Sequence, residues 1–497
     1  MEKLPDWALK YKIKGTAINR VNKNFYLYKI SSKWDPKKKR AQKITEGYLG
    51  KITPDGVLPA KHKRAAVGAK NATIKEFGAS ALVNNLSEEL QNKLKKIYPE
   101  DWSAIFAIAS QRFMHNSPIK NMEHHFEHSY MSDIVKDVDM SPKSISAMIE
   151  KIGADREKMV LFMRELPRTP SENLIVDITH IFSASENIEW LSIAHNAYDQ
   201  FHNQLNMLLF FSNDRMKPIY FRLLPGAIRD VSAIKETLIE SKISHAIFVG
   251  DKGFQSDNNE KCFDDQGLEY ILPMKRNNSL IDYEVMKEAD RKKFDDFFFF
   301  QKRHVWYKEK KLNSEKKLIL FFDQRLRVEE ENCFLERISK ISDEKKDEKE
   351  ALVKDFYEKQ YCLGTICIVT NTKLTADKIY QYLKARVNIE VAFDTFKNIL
   401  EADKTYMRTI EHMYGWTFIN FLSLIMYYQL YGILTTKLIK KEAMITHYSP
   451  KDILMHFSKV YTVKVSGEVN ISEIPKKTRI LREMMDLNEN LLLKLQS

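Results

Sequence analysis

The sequence predicts an α/β protein of several domains, and three observations carry this prediction. The chain has 497 residues, which leaves room for about two to four domains. Its 44% hydrophobic and 29% charged residues are typical of a soluble globular protein. Between residues 172 and 276, several strand-like apolar runs and a helical run follow one another, an order that indicates a mixed sheet covered by helices.

The first predicted domain, residues 1–70, is a basic and mostly β module. It contains 18 Lys and Arg residues against 5 Asp and Glu, so the positive excess of a chain with formal net charge +12 lies here. Strand-like runs such as NFYLYKI mix basic with aromatic residues, and TPDG supplies a turn. A solvated tail is one interpretation. We predict instead an ordered module that contacts DNA phosphates, because the basic residues lie within strand patterns.

The second predicted domain, residues 71–168, is helical and is expected to bind DNA or to pair two protomers. Residues 131–153 predict two helices joined by a short turn, with Ser141 as N-cap and Pro142 as the first helical residue. The pattern fits a DNA-binding helix-turn-helix, but any two packed helices share it. Both interpretations stay open.

Two sets of residues that often bind metals are predicted not to do so here. One set consists of histidines without an acidic or cysteine partner at ligand spacing: His124, His125 and His128. The other consists of cysteines without CxxC spacing: Cys262, Cys333, Cys362 and Cys367. The cysteine spacing also supports no disulfide framework, which fits a reducing cytosol, so we expect a cytoplasmic protein.

An uncharged segment, residues 416–434, is nearly long enough to span a bilayer. Asn420, Ser423 and Gln429 interrupt it, and charged residues flank it. A buried core helix explains such a segment better than a membrane helix does. We therefore predict no membrane association.

The third predicted domain, residues 169–440, is the α/β unit. Its strand-like runs are ENLIVDITH, LNMLLFF, PIYFRLLPG, AIFVGD and EYILPMKR, and the helical run is DVSAIKETLIESK. Residues 281–361, an aromatic ribbon-like run and a charged helix, are interpreted as an insertion. A long amphipathic helix is predicted over residues 374–402, and residues 441–497 form a C-terminal tail region.

Two aspartates lie where buried strands are expected to carry apolar residues. Asp177 interrupts the run IVDITH, and Asp251 ends the run AIFV between Gly250 and Gly253. Burying a lone carboxylate is unfavourable unless it is paired or binds a cation, although an isolated Asp-x-Gly more often caps a turn. Two such aspartates on neighbouring strands would repel each other without a cation between them. Oxygen ligands at rigid positions suit Mg²⁺ or Mn²⁺.

The long helix supplies a third carboxylate. Arg386, Glu390, Phe393 and Lys397 are spaced to line one face of it. An Arg–Glu pair at i,i+4 is usually a surface ion pair, but the apolar run RVNIEVAF predicts partial burial of Glu390. Two carboxylates on strands and one on a helix fit a site that holds two metal ions for phosphoryl transfer. Arg386 and Lys397 would then contact DNA phosphates.

These motifs resemble those of the DDE transposases of bacterial and archaeal insertion sequences. The resemblance is carried by D-x-T at Asp177, by D-x-G-F at Asp251 and by R-x3-E-x6-K at Arg386, Glu390 and Lys397. The insertion-sequence-4 type, with its Y-R-E-K signature, is the most similar group.

The resemblance covers roughly residues 1–435 and departs from the family at one position. The family pattern places a tyrosine three residues before the arginine, where this chain has Leu383, and Tyr382 lies one residue away. This departure concerns the role of the tyrosine and not the acidic triad.

The resemblance implies an RNase H-like catalytic core interrupted by a mainly β insertion. It implies that Asp177, Asp251 and Glu390 bind two Mg²⁺ (or Mn²⁺) ions, with Gly253 keeping side chains away from the metal and the DNA. The implied reaction frees a 3′-OH at a transposon end and joins it to target DNA. The implied partners are double-stranded DNA, both terminal inverted repeats and target, and a second protomer in a homodimer. The implied location is the nucleoid of a prokaryotic cell.

Two other functions remain open on the residues themselves. An RNase H-like nuclease that cuts without strand transfer would use the same triad, and only its products would distinguish it. A catalytically silent DNA-binding relic is the other alternative, and the presence of all three acidic residues argues against it.

Overall fold

The computed structural model is described over residues 4–492, apart from short gaps. The gaps are residues 23, 36–38, 60–71, 167–171, 196–200, 227–230, 244–245, 288–290, 342–344, 439–447 and 466–467. The chain divides into two compact units, one of Met1–Phe77 with Lys459–Ile474 and one of Gly78–Ser458 with Pro475–Ser497. The predicted boundaries after residues 70, 168 and 440 lie outside the described residues.

The first unit begins with an antiparallel sheet in the order β1-β2-β3-β4. The elements are α1 (Asp6–Leu9), β1 (Thr16–Val21), β2 (Asn24–Asp35), β3 (Arg40–Thr53) and β4 (Gly56–Pro59). Their small core contains Ala8, Phe25, Leu27 and Ile52. The strands predicted from the basic N-terminal sequence are therefore present.

A second sheet in this unit joins segments that are far apart in the chain. Strand β5 (Ala72–Glu76) pairs antiparallel with β17 (Tyr461–Val465), which pairs with β18 (Glu468–Ile471). Helices α17 (Pro450–Phe457) and α18 (Lys476–Met484) belong to the other unit. The segment predicted as a C-terminal tail thus contributes elements to both units.

The second unit opens with a run of helices. They are α2 (Gly78–Leu86), α3 (Glu88–Ile97), α4 (Trp102–His115), α5 (Ile119–Glu127), α6 (Met131–Ile134), α7 (Pro142–Ala154) and α8 (Arg156–Arg164). The predicted cap of α7 is confirmed, because the Ser144 N–H donates to the Ser141 hydroxyl and Pro142 starts the helix. Helix α6 has only 4 residues, so the segment lacks a full first helix of a helix-turn-helix.

The apolar segment lies within helix α16 (Ile410–Leu438). Of the described helices, this one is long and apolar enough to cross a membrane, yet 78% of its most apolar window is buried inside the protein. It packs against α4, α7 and strand β9 (Lys217–Leu224). The helix is therefore part of the core, as predicted.

A mixed sheet is the centre of the second unit. Its order over the described residues is β12-β13-β14-β15-β11-β10-β6-β8-β7, with β16 beside β6 and β9 beside β8. The strands from the predicted α/β region are β6 (Asn173–Ser183), β7 (Ser192–His195), β8 (Phe201–Ser212), β10 (Ile247–Val249) and β11 (Glu269–Pro273), followed later by β15 (Thr365–Thr370) and β16 (Lys404–Thr405). Helices α9 (Val231–Ser241) and α10 (Asp257–Asp265) connect β9, β10 and β11. The predicted mixed α/β sheet is confirmed.

The segment 281–361 is not mainly β. Its strands β12 (Asp296–Phe300), β13 (Arg303–Lys311) and β14 (Lys317–Asp323) extend the central sheet, because β14 pairs with β15. Besides the short α11 (Glu284–Lys287), it contains α12 (Gln324–Ser339) and α13 (Lys346–Lys359), of 16 and 14 residues. Exposed i,i+4 ion pairs such as Arg325–Glu329 add to the stability of the two longer helices.

The long helix predicted over residues 374–402 is broken. Helix α14 (Ala376–Lys384) ends before Arg386, α15 (Val387–Asp394) follows it, and a π-helical turn covers Thr395–Ile399. Backbone hydrogen bonds that span three residues, from Arg386 N–H and from Asn388 N–H, tighten the chain at the break.

Candidate active site

Asp177 and Asp251 come from two neighbouring strands of the central sheet. β6 and β10 are parallel, with Val249 opposite Ile175. Asp177 comes two residues after Ile175, and Asp251 comes two residues after Val249. The register therefore places the two aspartates at the same level. The pairing of strands that are distant in sequence therefore brings the two carboxylates together.

One arginine side chain bridges three carboxylates. Arg386 Nη2 lies 3.0 Å from Asp177 Oδ2 and 3.4 Å from Glu390 Oε1, and Arg386 Nη1 lies 3.1 Å from Asp251 Oδ1. We call these four residues the carboxylate cluster. A phosphate contact was predicted for Arg386, whereas its guanidinium contacts all three acidic residues.

The three carboxylates differ in their access to solvent. The side chains of Asp177, Asp251 and Glu390 are 17%, 45% and 58% exposed. Burial raises the pKa of Asp177, and nearby Asp251 adds to this effect while the Arg386 charge opposes it. The predicted partial burial of Glu390 is wrong, because α15 turns Phe393, 8% exposed, toward the core instead.

The turn that carries Asp251 depends on one glycine more than on the other. A Cβ at Gly250 would lie 3.0 Å from Leu272 Cδ2 and 3.1 Å from Phe254 Cβ, whereas a Cβ at Gly253 would have no neighbour within 4 Å. The Phe254 N–H donates to the Asp251 carbonyl at 3.0 Å and closes the turn. A side chain at position 250 would therefore crowd Leu272 of β11 and Phe254, while Gly253 faces open space.

Helix α14, which leads to Arg386, is fixed to the insertion. The Tyr380 hydroxyl donates to Asp323 Oδ2 at 2.8 Å, and Arg303 Nε donates to the same oxygen at 2.9 Å. Asp323 is 1% exposed and also caps α12 through the Arg325 N–H. This buried network links β13, β14 and α14, and so supports the position of Arg386.

Lys397 does not join the carboxylate cluster. Burial lowers the pKa of its half-buried side chain, and Asp403 is the carboxylate that opposes this shift. Within the described part of the chain, it forms no ion pair with the cluster. Because the π-helical turn follows α15, Lys397 does not continue the single face predicted from Glu390.

Leu383, at the position of the tyrosine in the insertion-sequence-4 signature, lines the cleft beside the cluster. Tyr382 is half-buried, and burial together with Asp214 raises its pKa. The cleft wall is therefore apolar at the position where the insertion-sequence-4 signature has the hydroxyl of a tyrosine.

Basic residues outside the predicted set also line this cleft of about 350 Å³, namely Lys252, Arg276 and Lys384. Arg276 Nη2 donates to both Glu330 carboxylate oxygens, at 2.7 and 2.9 Å. The sequence holds a signal for Arg276, because this residue ends the strand-like run EYILPMKR. Lys384 has no such signal.

The carboxylate oxygens of the cluster have the chemistry of ligands for a divalent metal ion. Every contact to the guanidinium comes from a carboxylate oxygen, the ligand that Mg²⁺ and Mn²⁺ prefer. Among the described residues, no group of three His, Cys, Asp or Glu lies close enough to hold a metal ion together. The Arg386 guanidinium lies between the three carboxylates and balances part of their charge.

The model of the transposase DDE domain family matches residues 168–426, more than half of the chain and all of the cluster. The chain belongs to this family. It is therefore a metal-dependent, DNA-cleaving transposase, an enzyme of DNA transposition and recombination. No curated protein matches the chain.

Among solved structures, the chain is similar to one described as the cryo-EM structure of the piggyBac transposase synaptic complex with hairpin DNA. The identity is 10% and the TM-score 0.37, over 72% of this chain and 69% of the other. A similarity of this size supports no argument about mechanism.

Proposed function

We propose that the chain is the transposase of an insertion sequence of the insertion-sequence-4 type, built on an RNase H-like core. It would hydrolyse a phosphodiester bond at each transposon end to free a 3′-OH. That hydroxyl would then attack a phosphodiester of target DNA, forming one P–O bond and breaking another. The observation that carries the proposal is that Asp177, Asp251 and Glu390 all contact the guanidinium of Arg386.

In this proposal Asp177, Asp251 and Glu390 hold two Mg²⁺ or Mn²⁺ ions. When bound, such ions supply an activated water and stabilise charge on the leaving oxygen. Asp177 would keep its place through the strand β6, while the more exposed Asp251 and Glu390 adjust to the incoming DNA. Arg386 would turn from the carboxylates to the DNA phosphate once other cations take its place.

The proposed partners are the terminal inverted repeats, the target duplex and a second copy of the chain. The basic N-terminal module and the helical region would bind the ends and help to pair two protomers on DNA. Lys397, whose side chain is half-buried, would be a further DNA contact. Such an enzyme would act in the prokaryotic cytoplasm, at the nucleoid.

Product analysis tests the proposal. The full chain is incubated with Mg²⁺, a plasmid carrying the DNA on both sides of its gene, and a second plasmid as target. We expect cleaved ends with 3′-OH groups, ends joined to the target, and short direct duplications at the new junctions. Cleaved ends that never join would favour the nuclease alternative and contradict strand transfer.

Arg386→Ala tests whether the guanidinium and the metal compete for one position. Without metal, the variant should lose about 2 kcal/mol of stability, because three carboxylates lose a shared charged hydrogen-bond partner. Added Mg²⁺ should then raise its melting temperature more than that of the unaltered chain, because nothing competes with the ion. Lys397→Ala is the control, and its response to Mg²⁺ should equal that of the unaltered chain. If Mg²⁺ raised the melting temperature of Arg386→Ala no more than that of the unaltered chain, the competition between guanidinium and metal would be contradicted.

A further inference from the structure

The hairpin of β2 and β3 extends beyond the sheet that holds its base. β1 pairs with β2 only as far as Lys29, and β4 pairs with β3 only from Gly50 onward. Beyond these points β2 and β3 continue to pair with each other as far as Asp35 and Arg40. Among the described residues, this distal part is a two-stranded ribbon without a third strand, and we call residues 31–35 with 40–46 the ribbon.

Neither face of the ribbon covers a core. On one strand Lys33 and Trp34 are exposed, and on the other every residue from Arg40 to Glu46 is exposed. Trp34 is 62% and Ile44 41% exposed. A two-stranded ribbon is at most marginally stable by itself in water. An arm that keeps large side chains in solvent on both faces is therefore typical of a segment that binds a partner.

The chemistry of the ribbon matches DNA. Lys33, Arg40 and Lys43 give it exposed positive charge, and of its two acidic residues Asp35 lies opposite Arg40 in the register and Glu46 pairs with Lys29 at 3.0 Å. The register places Lys33 opposite Gln42 and Ser31 opposite Ile44. Side chains of opposite residues and of every second residue share one face of a ribbon. One face therefore presents Ser31, Lys33, Arg40, Gln42 and the exposed Ile44.

That set of side chains can read bases as well as bind phosphates. Arg and Lys recognise guanine, and Gln recognises adenine, through hydrogen bonds in the major groove. The ribbon is roughly 15–20 Å long, at about 3.3 Å per residue. The major groove, about 12 Å wide, admits a two-stranded β-ribbon.

We propose that the ribbon enters the major groove of the transposon-end duplex and contributes to its sequence recognition. The proposal rests on the proposed function, because it takes the terminal DNA as the partner. Lys43 and Trp34 lie on the opposite face, as the register shows for Trp34 with Ala41 and for Ser32 with Lys43. They would contact the phosphate backbone at the rim of the groove.

The test measures binding of the full chain to two fluorescent duplexes over a series of salt concentrations. One duplex carries the DNA that immediately flanks the gene, and the other has the same composition in scrambled order. The variants are Gln42→Ala and the double variant Lys33→Ala with Lys43→Ala. The control is Lys459→Ala with Lys464→Ala, which removes two exposed lysines from the same unit but outside the ribbon.

Gln42→Ala should reduce the preference for the flanking duplex roughly 5- to 100-fold, while binding to the scrambled duplex stays the same. The double lysine variant should lower the slope of log K against log salt by up to about 1.8, since each lost phosphate contact contributes about 0.9. The control variant should keep the duplex preference and the salt slope of the unaltered chain. Ribbon variants with the same preference and the same slope as the unaltered chain would overturn the proposal. Equal binding of both duplexes by the unaltered chain would also overturn it.

Two further measurements separate this proposal from its alternatives. Sedimentation shows whether the ribbon variants dissociate a homodimer while DNA binding is intact, and that result would assign the ribbon to a second copy and overturn the proposal. Mg²⁺-dependent nicking of a supercoiled plasmid tests the proposed function alone. We expect the control Lys459→Ala with Lys464→Ala to nick as the unaltered chain does, whereas absent nicking by the unaltered chain would contradict the proposed function and leave the binding result standing.

Discussion

The variant Glu390→Gln is expected to bind transposon-end DNA normally and to cleave it at least about 10³-fold more slowly than the unaltered chain. Gln keeps the size of the side chain but loses the negative charge that a metal ligand needs. Losing several kcal/mol of transition-state stabilisation lowers the rate tenfold for each 1.36 kcal/mol. Stability should hardly change, because the Glu390 side chain is 58% exposed and an exposed pair contributes about 0.3–0.5 kcal/mol.

Glu329→Gln is the matched control for this variant. The Glu329 side chain is 57% exposed and pairs with Arg325 at i,i+4, as Glu390 does with Arg386, but it lies on α12 outside the carboxylate cluster. Single-turnover cleavage, duplex binding and melting temperature are compared in both variants. Near-normal Mg²⁺-dependent cleavage by Glu390→Gln would remove Glu390 from the proposed triad.

The variant Gly415→Ala is expected to destabilise the second unit by about 3 kcal/mol or more. α7 and α16 cross with their backbones in contact: a Cβ at Gly415 would lie 1.9 Å from the Ile149 carbonyl oxygen. A Cβ at Gly153, on the other helix, would lie 1.7 Å from the Glu411 carbonyl oxygen. Because carbonyl groups and not flexible side chains fill the space, the helices must separate to admit a methyl group.

Gly432→Ala gives the matched control on the same helix. A Cβ at Gly432 would meet no atom within 4 Å, so the substitution should stabilise α16 by up to about 1 kcal/mol through helix propensity. Thermal unfolding of both variants gives the comparison. A Gly415→Ala chain that melts at or above the unaltered temperature would contradict the close crossing of α7 and α16.

Much of the local structure could be predicted because it depends on local patterns. Ser141 and Pro142 mark the start of α7 through hydrogen bonding and a fixed φ, which neighbouring residues decide. The apolar segment within α16 was predicted as a core helix from its polar interruptions and its charged flanks. The long helix over 374–402 was predicted as one piece, and its break at Arg386 could not be seen, because no Gly or Pro marks it.

The same distinction between local patterns and tertiary structure applies to the candidate site. The sequence by itself determined which carboxylates are out of place, since Asp177 interrupts an apolar run in β6 and Asp251 follows the apolar β10. Only the tertiary structure decided that they lie level on neighbouring strands, because parallel pairing of β6 with β10 depends on the packing of segments far apart in the chain. It also decided that Arg386 lies between them and Glu390, and that Lys397 does not. The physical reason is that a pattern reports the burial of each residue separately, whereas the convergence of charges depends on register and on where a helix breaks.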